Sequence, residues 1–299
     1  MSNSKWNNED IPNQKNKTII ITGASSGLGK QATKVLVQKE AKVIMAVRNV
    51  EKAKTVANEI ISEFPNAKIE IRNLDLSSLK SIKSFADEFI ANNNQLDILI
   101  NNAGVMMSPY SKTEDGFELQ MGTNHFGHFA LTGHLMPILK TTNNSRLVVT
   151  SSVAHRQGDI DLKDINWENR KYKTGKAYGD SKLANLYFAY ELERKLKNDS
   201  NAPIISCSHP GWTKTELDRH SGLASFLGNI IAQTPEMGTL PTLRAATDEN
   251  VKTGDYYGPA RMMELRGNPI LVKSTEDSHN EKIAKELWDL SETLTGVKY

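Results

Sequence analysis

The sequence predicts an α/β fold: one doubly wound parallel sheet with helices on both faces. Three observations carry that expectation. Short β-branched runs recur along the chain, helical patterns lie between them, and the runs are continuously apolar rather than alternating. A strand that is apolar at every position is covered on both faces, as in a parallel sheet. Strand–helix alternation at this spacing gives right-handed βαβ units.

The strands are expected over Thr18 to Thr22, Val43 to Val47, Ile69 to Asn73, Asp97 to Asn101, Leu147 to Ser151 and Ile204 to Ser208. Gly254 to Gly258 suggests a final strand or turn. Ala53, Val56, Ala57, Ile60, Ile61 and Phe64 form one helical stripe, and Ile82, Phe85, Ala86, Phe89 and Ile90 another. Leu28, Ala32, Val35 and Leu36 face inward on the helix after the first strand. Trp288, Leu290 and Leu294 suggest a closing helix, and Gln157 to Lys176 reads as a long polar loop. Residues 1–16 read as a flexible polar arm and 17–299 as one domain, with no internal repeat.

The chain has 299 residues, a net charge of +2 and 24% charged residues, so nothing argues electrostatically for nucleic acid or an anionic membrane surface. A single cysteine, Cys207, forbids an intramolecular disulfide and suits a reducing compartment. The polar N-terminus lacks the apolar core of a signal peptide, and no apolar run approaches bilayer length. A cytoplasmic location is expected.

Directly after the first strand stands Thr22-Gly23-Ala24-Ser25-Ser26-Gly27-Leu28-Gly29. Gly23, Gly27 and Gly29 let the backbone turn tightly and approach a pyrophosphate. The next helix aims its N-terminal N–H groups at that anion, and Ser25 and Ser26 add hydroxyl donors. At the end of the second strand, where NAD sites usually carry a carboxylate, stands Val47-Arg48-Asn49. An arginine can pair with a ribose 2′-phosphate, so NADP(H) is favoured over NAD(H).

Tyr-x-x-x-Lys occurs twice, at Tyr172/Lys176 and Tyr178/Lys182. The first spans Gly175 inside the polar loop. The second leads into the helical stripe Leu183, Leu186, Tyr187, Tyr190. Residues four apart on a helix share a face, so the Lys182 ammonium can favour the Tyr178 phenolate. That draws a phenol of ordinary pKa near 10 toward the range of acid–base catalysis.

With these motifs the chain resembles the short-chain dehydrogenase/reductase family, which has a Rossmann-type fold, over nearly its whole length. Asn101-Asn102-Ala103-Gly104, Asn124 in Thr-Asn-His-Phe-Gly-His-Phe, Thr150-Ser151-Ser152, and His209-Pro210-Gly211-Trp212-Thr213-Lys214-Thr215 complete the set in order. The His125 to Phe129 run, Ser152-Val153-Ala154-His155 and the long loop before Tyr178 look like the retinol-dehydrogenase and WW-domain-oxidoreductase branch, with no WW domain read ahead of the fold.

The resemblance implies a role for each matching residue. Tyr178 would be the general acid in carbonyl reduction and the base in alcohol oxidation. Lys182 would lower its pKa and bind the nicotinamide ribose. Ser152, rather than the adjacent Ser151, would hydrogen-bond the substrate oxygen. Asn124 would hold a water linking Lys182 to solvent. Thr22 to Gly29 would hold the pyrophosphate and adenosine ribose, with Arg48 and Asn49 at the 2′ position. Asp75 and Leu76 would contact adenine, and Asn102, Ala103 and Gly104 would flank the cofactor. Pro210, Gly211, Thr213 and Thr215 would lie at the nicotinamide amide. The partner would be a small-molecule carbonyl or alcohol, with apolar ones among the candidates, and a homodimer or homotetramer is compatible with the family.

Weaker signals are read conservatively. His125 and His128 have no second pair at zinc-like spacing and are expected to be packed or hydrogen-bonded rather than metal ligands. Asp159, Asp161 and Asp164 are expected to form a solvated loop face, without EF-hand spacing. The apolar stripe Leu223, Phe226, Leu227, Ile230 and Ile231 is read as a pocket-lining lid or as plain packing. The reading from another functional class is a catalytically silent dinucleotide-binding sensor or interaction protein on the same fold.

Overall fold

The computed structural model describes residues 5–213 and 232–299. Eight strands form one sheet in the order β3-β2-β1-β4-β5-β6-β7-β8. They are β1 (Thr18–Thr22), β2 (Lys42–Val47), β3 (Lys68–Asn73), β4 (Ile98–Asn101), β5 (Arg146–Thr150), β6 (Ile204–Ser208), β7 (Tyr256–Arg261) and β8 (Arg266–Leu271). β1 to β7 are parallel, and β8 returns antiparallel along the edge beside β7.

Successive strand residues point to opposite faces, and this alternation builds two cores from one sequence run. Ile20, Ile44, Leu99, Leu147 and Val149 face α3 (Leu79–Asn92), α4 (Gly127–Thr141) and α5 (Thr174–Leu196). Ile19, Ile21, Val43, Met45, Ile98, Ile100 and Val148 face α1 (Gly27–Gln38), α2 (Val50–Glu63) and α6 (Pro235–Thr247). A closing helix, α7 (Glu281–Thr295), covers the far side of α5 through Ala284 and Leu287. Every residue from Gly179 to Leu192 is therefore buried. Truncating one of these core isoleucines to alanine would cost about 2–5 kcal/mol.

Several expectations are corrected. Ile61 and Ile90 are exposed, because each helix lays a narrower stripe on the sheet than its apolar pattern suggested. β3 is only partly buried, as it forms an edge of the sheet with no strand on its outer side among the described residues. The polar loop ends earlier than expected, since α5 starts at Thr174. Asp164 is buried rather than solvated: its Oδ1 accepts the N–H groups of Glu168 at 2.7 Å and Asn169 at 3.1 Å. Residues 5–16, expected as a loose arm, are held to the body, with Trp6 and Ile11 buried in the second core. Among the described residues no helix is long and apolar enough to cross a membrane.

Candidate active site

The strand order reverses between β1 and β4, and ligands of such sheets bind at the carboxyl ends of those strands. An open cleft of about 490 Å³ lies there. Its walls include Gly23, Ser25, Ser26, Gly27, Leu28 and Gly29 after β1, Arg48 and Asn49 after β2, Asp75 and Leu76 after β3, and Asn102, Ala103 and Gly104 after β4. The sequence-predicted cradle residues are thus brought together on one cleft. Lys52, Val105 and Thr123 also line it and were not anticipated. The sequence signal for Lys52 was its place one turn beyond Asn49.

The cradle fits a dinucleotide pyrophosphate by its donors. Asn49, Ser78, Thr234 and Asn280 each cap a helix with a side-chain oxygen, whereas Ser26 makes no side-chain cap to α1. The first N–H groups of α1 therefore lack a side-chain acceptor, and an anion there satisfies them. Gly23 and Gly27 adopt positive φ, +68° and +50°. A Cβ on Gly29 would lie 2.4 Å from the Gly23 carbonyl oxygen, so only glycine permits this turn to close. Asn49 spends its side chain on the Lys52 N–H at 2.9 Å, which makes it a helix cap within the cleft wall.

A hydrogen-bond web ties β1 and β4 together. The Thr22 hydroxyl accepts from the Asn102 and Ala103 N–H groups, each at 2.9 Å, and lies 2.9 Å from His128 Nε2. His128 Nδ1 donates to the Asn124 carbonyl at 3.0 Å, so Nε2 is the acceptor of the Thr22 hydroxyl. His125 Nε2 pairs with the Ser291 hydroxyl at 2.9 Å. Burial lowers the pKa of His125 to about 3 and that of His128 to about 4, so both are neutral. Both histidines thus serve packing and hydrogen bonding.

Asn124 sits in a π-helical turn, Gly122–Phe126, a form that often accompanies functional sites. Its Oδ1 accepts the Val105 N–H at 2.8 Å, and its Nδ2 donates to the Val105 carbonyl at 3.0 Å and to the Ser181 hydroxyl at 2.9 Å. Ser181 in turn donates to the Tyr178 carbonyl at 2.8 Å. Asn124 therefore locks the loop after β4 to the first turns of α5.

Tyr178 is half-buried, the one residue between Ala177 and Leu192 that the fold leaves partly open. Lys182 is buried, with its Nζ donating to the Thr150 carbonyl at 3.3 Å and lying 5.7 Å from the centre of the Tyr178 ring. Desolvation lowers its pKa to about 8. A Cβ on Gly104 would come 3.1 Å from Asn124 Oδ1 and 3.5 Å from Lys182 Nζ, so the bare backbone there joins the cleft to the ammonium. Ser151 is buried and Ser152 partly open. The Ser152 hydroxyl accepts from the Ala154 N–H at 3.2 Å.

The competing Tyr172/Lys176 pair does different work. Tyr172 donates to the buried Glu118 carboxylate at 2.8 Å, and Lys176 pairs with the buried Asp180 at 2.7 Å. Tyr172 thereby holds the loop to the body, while Lys176, itself on α5, reaches the loop by donating to the Asp159 carbonyl at 2.9 Å. After β6, Gly211 has a φ of +65°, and the Thr213 hydroxyl donates to the Pro210 carbonyl at 2.8 Å. Thr215 and the stripe from Leu223 to Ile231 lie outside the described residues.

Known proteins are similar to this chain in sequence and fold. A family model for short chain dehydrogenase matches residues 17–224. The chain is similar to human retinol dehydrogenase 11, 41% identical over 286 residues that cover 94% of this chain and 86% of that protein. Human retinol dehydrogenase 13 is 39% identical, covering 94% and 85%. Among solved structures, an uncharacterized protein from Mycobacterium Paratuberculosis superposes with a TM-score of 0.84 at 37% identity, covering 99% of both chains. A short chain dehydrogenase from Shigella flexneri 2A, solved in complex with NADP, gives a TM-score of 0.65 at 25% identity, covering 82% of this chain and 97% of that one. The chain belongs to the short-chain dehydrogenase/reductase family, in its retinol-dehydrogenase branch, and is an NAD(P)-dependent oxidoreductase of alcohol and carbonyl groups.

Proposed function

We propose that the protein is an NADP(H)-dependent oxidoreductase that interconverts an apolar carbonyl and its alcohol, with Tyr178 as the acid/base. The observation that carries this reading is the buried Lys182 ammonium 5.7 Å from the ring of Tyr178, the one partly open residue between Ala177 and Leu192 of α5. A bound nicotinamide dinucleotide supplies the hydride in reduction and takes it up in oxidation.

The chain's own residues handle the oxygen and its proton. In reduction the Tyr178 hydroxyl gives its proton to the substrate oxygen, and in oxidation the phenolate takes it back. Lys182, charged below about pH 8, favours the phenolate and reaches toward the nicotinamide ribose. Ser152 donates to the same substrate oxygen and fixes its position. Asn124 belongs to the same proton path, holding Val105 against Ser181 and so Gly104 beside the ammonium. Leu28, Asp75 and Leu76 support the adenosine half, and Pro210, Gly211, Thr213 and Thr215 the nicotinamide amide.

The preference for NADP(H) rests on two cations at the cleft, Arg48 and Lys52, where NAD sites usually place a carboxylate. The NADP complex of the Shigella relative supports the same choice. The apolar substrate class is supported by the similarity to retinol dehydrogenases. A cytoplasmic location belongs to this reading and is supported by the single cysteine, Cys207, which suits a reducing compartment.

Consumption of NADPH and NADH by the purified protein, over long-chain and polyene aldehydes, ketones and quinones, tests the reading. Faster turnover with NADPH on apolar aldehydes is expected, and Arg48→Ala should raise the KM for NADPH on the order of 10-fold or more while leaving that for NADH unchanged. Equal use of both dinucleotides, or turnover confined to small polar carbonyls, would overturn it.

A further inference from the structure

We infer that Glu264, at the tip of the β7–β8 hairpin, is a positioning residue for the nicotinamide end of the site. The inference rests on the function proposed above, and it concerns a residue that no sequence motif marks.

Its carboxylate joins the segment after β6 to the short helix after β5. One oxygen accepts from His209 Nε2 at 3.0 Å, and the other pairs with Arg156 at 2.9 Å. His209 is fully buried and opens the segment His209-Pro210-Gly211. Arg156 lies on the short 3-10 helix Val153–Gln157, which Ser152 caps. The imidazole has two nitrogens, and Glu264 fixes their roles. With Nε2–H given to the carboxylate, Nδ1 is left as an acceptor, and it receives the Gly211 N–H at 3.2 Å. Without that acceptor on Nε2 the ring has no fixed tautomer, and the Gly211 peptide loses its anchor.

The rest of the hairpin tip is built for this grip. Met262, Met263 and Glu264 have successive positive φ values of 52°, 52° and 67°, an uncommon run for side-chain-bearing residues. It brings the Leu265 carbonyl onto the Trp212 N–H at 2.8 Å. A Cβ on Gly211 would lie 2.5 Å from that carbonyl oxygen, and one on Gly258 would lie 2.1 Å from His209 Nε2. Gly267 donates to Gln233 Oε1 at 3.0 Å, and Gln233 Nε2 donates to the Pro210 carbonyl at 2.7 Å. The Pro210 carbonyl and the Gly211 and Trp212 N–H groups are thus all referred to the hairpin, directly or through His209 and Gln233, and Glu264 is the acidic member of that grip.

The experiment compares binding of NADPH with binding of adenosine 2′,5′-bisphosphate, which lacks the nicotinamide half, by titration calorimetry. Glu264→Ala should weaken NADPH on the order of 10-fold and leave the bisphosphate within about 2-fold, because only the nicotinamide end is displaced. Single-turnover hydride transfer should fall by at least the same factor. Glu264→Gln, which keeps an acceptor for His209, should recover most of the NADPH affinity. Glu264→Asp, whose carboxylate is withdrawn by one methylene, should lose affinity in the same selective way, and it carries the test if the alanine variant does not fold. A ratio of the two affinities unchanged in both Glu264→Ala and Glu264→Asp overturns the inference, as does a parallel loss of both ligands. If the unsubstituted protein itself binds NADPH no better than the bisphosphate, the proposed function falls with it. A large wild-type ratio that ignores Glu264 removes only the inference.

Discussion

The Ser151 hydroxyl donates to the main-chain carbonyl of Lys182 at 2.8 Å, pinning the end of β5 to α5. Adjacent residues of an extended chain point to opposite sides, so this bond turns Ser152 toward the open site.

The two serines should therefore separate in mutagenesis. Ser151→Ala removes a buried hydrogen bond and should lower stability by about 1 kcal/mol, with kcat changed little. Ser152→Ala should leave the melting temperature near that of the parent and reduce kcat on the order of 100-fold. Thermal melts and steady-state kinetics on both variants check the pair.

Lys182 gives the reaction a high-pH limb. Its pKa is lowered by burial to about 8, and the proposed mechanism requires both the ammonium and a protonated Tyr178 for reduction. The kcat/KM for carbonyl reduction should fall as pH rises through that value. The linkage to stability runs the other way. The folded state binds fewer protons than the unfolded one between about pH 8 and the ordinary lysine value near 10.4, so this group makes the apoprotein more stable as pH rises across that window. Lys182→Met should accordingly raise the melting temperature at pH 7 while abolishing turnover.

The buried histidines set the acid limit. Desolvation lowers His125 to about 3 and His128 and His155 to about 4. Unfolding lets each take a proton at its ordinary value near 6.5, so the stability they hold is complete above that pH and is lost as pH falls toward 4. A melting temperature that drops across this window is expected, with a shallower drop in His125→Gln. A flat profile from pH 7 to 4 would show that these rings are solvated.

Much of the site was legible in the sequence because its chemistry is local. The glycine cradle is one turn, and Tyr178 and Lys182 share one helical face, so spacing alone places them. The choice of Tyr178 over Tyr172 also followed from periodicity, and Tyr172 proves to be spent on Glu118. What sequence could not give is long-range or at an edge. β8, which the sequence analysis did not anticipate, contains Gly267 and Pro269, residues disfavoured in strands, yet an edge strand tolerates proline where no partner needs its N–H. Asp164 looked solvated because the turn that folds the Glu168 and Asn169 N–H groups and the Arg170 guanidinium onto its carboxylate has no periodic sequence pattern. His209 and Glu264 meet across 55 positions, and only the hairpin brings them together.

The most direct test of the account is single-turnover hydride transfer from bound NADPH to an apolar aldehyde, in the parent and in Tyr178→Phe. The account predicts a loss on the order of 10²- to 10⁴-fold, with NADPH affinity kept within about 3-fold, because only the proton donor is removed. A Tyr178→Phe variant that transfers hydride at the parent rate would contradict it.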